Sequence, residues 1–75
     1  MSRIPRVSGR GVVKALGKLG YELDRQRGSH IILRQVHPPH RRLVVPDHSE
    51  MAKGTLRALI REAGLTVDQF LELLK

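Results

Sequence analysis

The sequence predicts an α+β domain with the element order α-β-β-β-α-α, and three observations favour that class. Apolar residues recur at helical spacing between residues 8 and 20 and again after residue 55. Between these segments, residues 21–45 contain three short stretches that alternate in polarity or are rich in β-branched side chains. Consecutive strands with short connections form an antiparallel sheet. We therefore expect the helices to cover one face of a three-stranded sheet and to leave the other face open.

The first helix is predicted to begin after Ser8, whose hydroxyl suits an N-cap. Val12, Leu16 and Leu19 follow at spacings of four and three residues and form one apolar stripe. Gly20 is expected to close this helix, because glycine adopts the left-handed conformation without a steric penalty.

The first strand is predicted over residues 21–26, with Tyr21, Leu23 and Arg25 on one face of the sheet. A turn at residues 27–28 leads to a second strand over residues 29–36. The two prolines within residues 37–40 have no N–H to donate, so they separate this strand from a third over residues 41–45.

Two helices are predicted after the sheet. Leu56, Leu59, Ile60 and Ala63 form the apolar stripe of the first, which Gly64 ends. A capping box over residues 66–69 begins the second, because a threonine is followed by a glutamine three residues later.

The length and charge of the chain limit what it can do. Its 75 residues form one domain, 1–75, which is too small for a deep pocket, and residues 1–7 are predicted to be a flexible basic arm. Residues 1–45 contain ten basic and two acidic side chains, a net charge of +8, whereas residues 46–75 carry −1. Such a lopsided basic surface attracts polyanions. The alternatives are a solvated basic face without a partner and a patch that meets an acidic protein.

Several other classes of protein are excluded or disfavoured. The chain has no cysteine, so it contains no disulfide, thiolate metal site or cysteine nucleophile. No apolar run approaches the ~20 residues that span a bilayer. The basic start of the sequence lacks the apolar stretch of a signal peptide. We therefore expect a cytoplasmic protein with no membrane partner and no small-molecule cofactor.

His30 is the candidate for proton transfer. It follows a Gly-Ser turn at the start of the second strand, on the same face as Ile32 and Arg34. Histidine changes charge near neutral pH, so beside cations it can take the proton of a ribose 2′-hydroxyl while its neighbours stabilise the phosphorane. From the pattern alone, a histidine that merely occupies a strand position is the commoner explanation.

A wider set of motifs resembles one protein family. Residues 28–33, Gly-Ser-His-Ile-Ile-Leu, are similar to the Gly-Ser-His motif of HicA toxins. The segments around residues 20–25, 45–48, 53–57 and 63–65 resemble further parts of that family in the same order. The resemblance covers residues 8–75 and identifies the chain as a member of the family. The loop over residues 37–40 departs from the expected pattern.

The resemblance implies a fold like that of double-stranded-RNA-binding domains and an endoribonuclease that cleaves mRNA. The functional histidine of the family corresponds to His30. The resemblance also implies the toxin of a type II toxin–antitoxin pair, neutralised by a HicB-type antitoxin.

The remaining candidates follow from residue chemistry. Arginine forks match phosphate oxygens, and solvated strand ends are the alternative explanation for each arginine. The expected RNA contacts are Ser29, Arg25, Arg27, Arg34, Arg41 and Arg42. His37 and His40 have a spacing that permits a metal site, but no carboxylate or thiol lies nearby in the sequence, so we expect no metal.

Two other functions remain open from the sequence. A binding module without catalysis would hold structured RNA through its shape and its phosphates. A DNA-binding regulator would use the same positive charge. With one tyrosine and one phenylalanine, the chain does not have the exposed rings of a base-stacking platform.

Overall fold

The computed structural model describes residues 3–75 and has the predicted element order. The elements are α1 (Gly9–Gly17), β1 (Tyr21–Arg27), β2 (His30–Gln35), β3 (Arg42–Pro46), α2 (Lys53–Glu62) and α3 (Val67–Leu73). The three strands form one antiparallel sheet in the order β1-β2-β3. The predicted α+β class and the α-β-β-β-α-α order are confirmed.

Helix α1 begins as expected and ends early. The Ser8 hydroxyl accepts a hydrogen bond from the backbone N–H of Gly11 at 3.0 Å, which makes it the N-cap. The helix ends at Gly17, three residues before the predicted glycine. From there Lys18 and Leu19 donate to carbonyls only three residues back, which tightens the last turn. Gly20 has a φ of +86° and turns the chain into β1.

The core lies on one face of the sheet only. Ile31 and Leu33 of β2 are buried, as are Leu43 and Val45 of β3. The helices cover these side chains with their own apolar stripes: Val12, Ala15, Leu16, Leu56, Leu59, Ile60 and Phe70. Among residues 3–75, no helix lies on the opposite face of the sheet, as the sequence predicted.

Strand β1 departs from simple alternation. Tyr21 is its only buried residue, and Leu23, although it pairs with the buried Leu33, is 59% exposed. The register shifts between Leu23 and Arg25, so that Leu23 pairs with Leu33 whereas Arg25 pairs with Ile32. A bulge of this kind turns the following residues over. The predicted common face for Tyr21, Leu23 and Arg25 is therefore wrong at Arg25.

The two C-terminal helices begin differently. At the start of α3, the Thr66 hydroxyl accepts from the N–H of Gln69 and the Gln69 amide oxygen accepts from the N–H of Thr66, so the predicted capping box is confirmed. Helix α2 begins after Ala52, which has no side chain that can cap it. Gly64 follows α2 with a φ of +78°, in agreement with its predicted role as a stop.

The segment before α1 is irregular in structure. Ile4 and Val7 pack against the core, and the carbonyl of Val7 accepts a hydrogen bond from the N–H of Met51 at 2.9 Å. The predicted flexible arm, residues 1–7, includes Met1 and Ser2, which lie outside the described residues. Its flexibility stays a prediction. Within residues 3–75, no helix is long and apolar enough to cross a membrane.

Gly9 provides a test of how α1 is seated on the sheet. A Cβ at this position would overlap the carbonyl oxygen of Pro46 and crowd the Cα of Asp47, both of which are backbone atoms. We expect Gly9→Ala to lower the free energy of unfolding by about 1–3 kcal/mol, as overpacking does. Gly17, at the other end of the same helix, has open space around it.

The matched control is therefore Gly17→Ala. It should be neutral or should stabilise the fold by up to about 1 kcal/mol, because alanine is the better helix former. Urea unfolding of both variants measures the difference. Equal effects of the two substitutions would show that the contact with Pro46 does not constrain the fold.

Candidate active site on the open face of the sheet

His30 lies at one end of the sheet, between the two outer strands. It is the first residue of β2, and it pairs with Arg27 of β1 and with Pro46 of β3. The turn that precedes it contains Gly28, which has a φ of +55°, a conformation that favours glycine. His30 is exposed, so its imidazole is open to a large substrate.

The buried residues of β2 determine the direction of His30. Ile31 is 4% exposed and Leu33 is 0% exposed, so both face the helices. Successive side chains of a strand point to opposite faces. His30, Ile32 and Arg34 therefore share the open face, as the sequence predicted.

The bulge in β1 brings two of the predicted arginines to this face. Arg25 pairs with Ile32 and Arg27 pairs with His30, and paired residues point to the same side of an antiparallel sheet. Without the register shift, both arginines would face the helices. The bulge therefore places Arg25 and Arg27 beside His30, a result that the alternation pattern did not predict.

Strand β3 adds a fourth arginine to the open face. Arg42 pairs with Arg34, and its Nη1 lies 3.8 Å from Oδ2 of Asp24 on the far strand. Like charges opposite each other destabilise a sheet. Asp24 offsets part of that repulsion, although the pair is exposed and therefore weak. The open face thus combines His30 with Arg25, Arg27, Arg34 and Arg42.

Arg41 is not part of this group. It precedes β3 and donates from Nη1 to the carbonyl of Glu62 at 3.3 Å, at the C-terminal end of α2. The carbonyls of a last helical turn have no partner within the helix, so a guanidinium there satisfies one of them. The structure separates the two neighbouring arginines that the sequence analysis treated together.

A set of hydrogen bonds holds the turn before His30. The backbone N–H of Asp47 donates to the carbonyl of Ser29 at 2.6 Å. The Asp47 carboxylate accepts from Arg10 at 3.1 Å and from Gln26 at 3.3 Å, and Gln26 also donates to the carbonyl of Gly28. Ser29 is exposed beside His30, where it was predicted to contact RNA.

Sequence reasoning missed Asp47, Gln26 and Arg10 as residues that support the site. Asp47 lies 37 positions from Arg10 and 21 from Gln26, so no local pattern joins them. Only the folded chain brings α1, β1 and the loop after β3 to one end of the sheet.

The other three histidines lie apart from this group. The ring of His37 lies 3.3 Å from where a Cβ on Gly20 would be, and a ring nitrogen of His40 lies 3.1 Å from the carbonyl oxygen of Gln35, at the far end of β2. The carbonyl of His48 accepts from the N–H of Gly9 at 2.9 Å, and its side chain is exposed. Across residues 3–75, no three histidine, aspartate or glutamate side chains gather as a metal site requires.

Comparison with known families gives a match that covers the residues of this site. Residues 9–65 match the family model described as the HicA toxin of bacterial toxin–antitoxin systems. The chain belongs to the HicA toxin family. The matched range contains α1, the whole sheet and α2, and therefore every residue of the open face named above. No curated protein matches the chain. Membership makes this protein the toxin of a type II toxin–antitoxin system.

Proposed function

We propose that this HicA toxin is a metal-independent endoribonuclease that cleaves mRNA, with His30 as its catalytic residue. One observation carries the proposal: His30 is exposed on a sheet face that it shares with four arginines. A shallow cationic face suits a polymer that is gripped along its backbone. It does not suit a small metabolite, which needs a concave pocket.

In the proposed reaction, the His30 imidazole takes the proton of a ribose 2′-hydroxyl. The 2′-oxygen attacks the adjacent phosphorus and forms a new P–O bond, while the bond from phosphorus to the 5′-oxygen breaks. The 5′-oxygen takes a proton from solvent, so the products are a 2′,3′-cyclic phosphate and a 5′-hydroxyl. General base catalysis of this kind contributes about 10²- to 10⁴-fold.

The arginines stabilise the charge that develops at phosphorus. Arg27 pairs with His30 across β1 and β2, so of the four arginines it is the one directly opposite His30 in the sheet. Arg25, Arg34 and Arg42 extend the cationic face along the neighbouring strands and would hold adjacent phosphates. Because guanidinium groups are always positively charged, the proposed reaction needs no metal ion to supply this charge.

Substitution of the histidine tests the mechanism. We expect His30→Ala to cut cleavage of single-stranded RNA by about 10²- to 10⁴-fold, as loss of a general base does. Because His30 is exposed, the change should cost no more than about 1 kcal/mol of stability. Cleavage is followed on gels in the presence of EDTA, and folding by circular dichroism. His37→Ala, at the far end of β2, is the matched control and should cleave as the natural protein does.

Two outcomes would contradict the proposal. Undiminished cleavage by folded His30→Ala would remove this residue from the mechanism, and the protein would then fit the binding-module alternative if it bound RNA without cleaving it. Cleavage that disappears in EDTA and returns with Mg²⁺ would show that a metal ion takes part.

The two neighbouring arginines give a matched pair for the binding surface. Arg42 lies on the open face, whereas Arg41 donates to the end of α2. We expect Arg42→Ala to reduce the dependence of RNA binding on salt by roughly 0.7 in log–log slope, the value for one lost phosphate contact. Arg41→Ala should leave that slope unchanged. Fluorescence anisotropy across a salt series measures both, and equal slopes for the two variants would place the RNA elsewhere.

We further propose that a HicB-type antitoxin binds the open face and covers His30. Val44 is 50% exposed and pairs with Ile32, so an apolar centre lies among the arginines. Interfaces between proteins commonly have such an apolar centre, with arginine enriched around it. An acidic antitoxin would also be drawn to the positive field.

A lysine at the apolar centre tests this surface. Val44→Lys should weaken capture of the co-expressed antitoxin by at least about tenfold, because a buried, unpaired charge is costly. The control is Leu74→Lys, at an exposed apolar position beyond α3. Affinity is measured by calorimetry on purified proteins. Equal affinities of the two variants would show that the antitoxin binds another face.

A further inference from the structure

A second concentration of positive charge lies away from the open face. The segment before α1 and the start of α2 enclose a cleft of about 660 Å³, lined by Arg3, Ile4, Pro5, Arg6, Lys53 and Arg57. We call it the basic cleft. Of the six described residues that line it, four are cationic and none is acidic.

The four cationic side chains of the basic cleft are accessible to a ligand. Arg3, Arg6, Lys53 and Arg57 are exposed, and in the described part of the chain their side chains make no ion pair or hydrogen bond. Several other basic residues do have partners: Arg10 and Arg42 pair with aspartates, and Lys18 donates to two carbonyls. Four unpaired cations around one cleft repel each other, so this arrangement favours an anion between them.

The fold of α2 explains how two of the four come together. Leu56 is fully buried and fixes the rotation of the helix. Lys53 and Arg57 are four positions apart and therefore project from one face of it. They belong to the segment Lys53-Gly54-Thr55-Leu56-Arg57, which resembles the family and which the open face does not use.

Three backbone hydrogen bonds place the basic cleft at the same end of the molecule as His30. Asp47 donates to Ser29, beside His30, and Gly9 donates to His48. Met51 donates to Val7, next to Arg6, and α2 begins two residues later. The six Cα–Cα steps from Asp47 to Lys53 span at most about 22 Å when fully extended. An RNA strand bound at His30, as the proposed function requires, would reach this cleft within a few nucleotides.

We propose that the basic cleft binds the phosphate backbone of the RNA strand flanking the bond that His30 cleaves. This inference rests on the proposed function, since it concerns the same substrate. RNA suits the cleft better than a protein does, because within residues 3–75 the only apolar residues that line the cleft are Ile4 and Pro5, both half-buried. A protein interface needs a larger apolar centre. Guanidinium groups on both sides of a cleft match phosphate oxygens.

Binding measurements in the His30→Ala protein test the proposal without relying on cleavage. The probe is fluorescein-labelled single-stranded RNA of about 6 or about 16 nucleotides, two lengths within the range of footprints of small single-strand-binding domains. Two variants remove charge from opposite sides of the cleft: Lys53→Gln with Arg57→Gln, and Arg3→Gln with Arg6→Gln. The matched control, Lys14→Gln with Arg61→Gln, removes the same charge from exposed helix positions outside the cleft and the open face.

Each cleft variant should reduce the log–log salt slope for the longer RNA by roughly 1.4, the value for two lost phosphate contacts on a single strand. The control should leave that slope as it is. The difference between cleft variants and control should be larger for the longer RNA than for the shorter one, because the cleft lies beyond the bond that is cleaved.

Identical slopes for cleft variants and control would overturn the proposal, as would absence of RNA binding by the parent protein. Unchanged RNA binding with weakened capture of the antitoxin would assign the cleft to that protein instead. Failure of the proposed function is distinguishable from failure of the cleft proposal. In that case the protein with His30 intact does not cleave RNA, while the salt slopes still report whether the cleft binds it.

Discussion

The alternation of buried and exposed side chains along β2 is the constraint on which the site depends. Ile31 and Leu33 enter the core from the central strand, and both neighbouring strands are registered on it. A slip of one residue would turn every side chain of β2 over and send His30 into the core. The burial of two apolar side chains therefore fixes the exposure of the catalytic candidate. Burial of apolar side chains on the opposite face of the sheet therefore supplies the free energy that keeps His30 in position.

The open face gathers charge at a cost in stability. Arg34 and Arg42 stand opposite each other, and their repulsion is offset in part by Glu22, which pairs with Arg34, and by Asp24, whose Oδ2 lies 3.8 Å from Arg42. In a domain of this size the margin of stability is small. Local arrangements that oppose stability are expected at functional sites, and we propose such a role for both the open face and the basic cleft.

The site is supported by the hydrogen bonds of one loop rather than by burial. Asp47 connects the turn before His30 with Gln26 and Arg10, and the close approach of Gly9 to Pro46 seats the start of α1 against the same loop. A small protein cannot surround a catalytic group with several layers of side chains. Here the hydrogen bonds of one loop hold three elements at one end of the sheet, so His30 is positioned although it is exposed.

The sequence by itself determined the element order, the caps at Ser8 and Thr66, and the face of β2 that carries His30, because each depends on local periodicity and hydrogen bonding. It did not determine the face of Arg25. The bulge there depends on how β1 pairs with β2, and the alternation of polar and apolar residues along β1 does not reveal it. It also grouped Arg41 with Arg42, whereas the end of α2 draws Arg41 away. The basic cleft joins residues about fifty positions apart. Only tertiary packing decided these three features, because contacts between distant segments follow from shape and not from spacing.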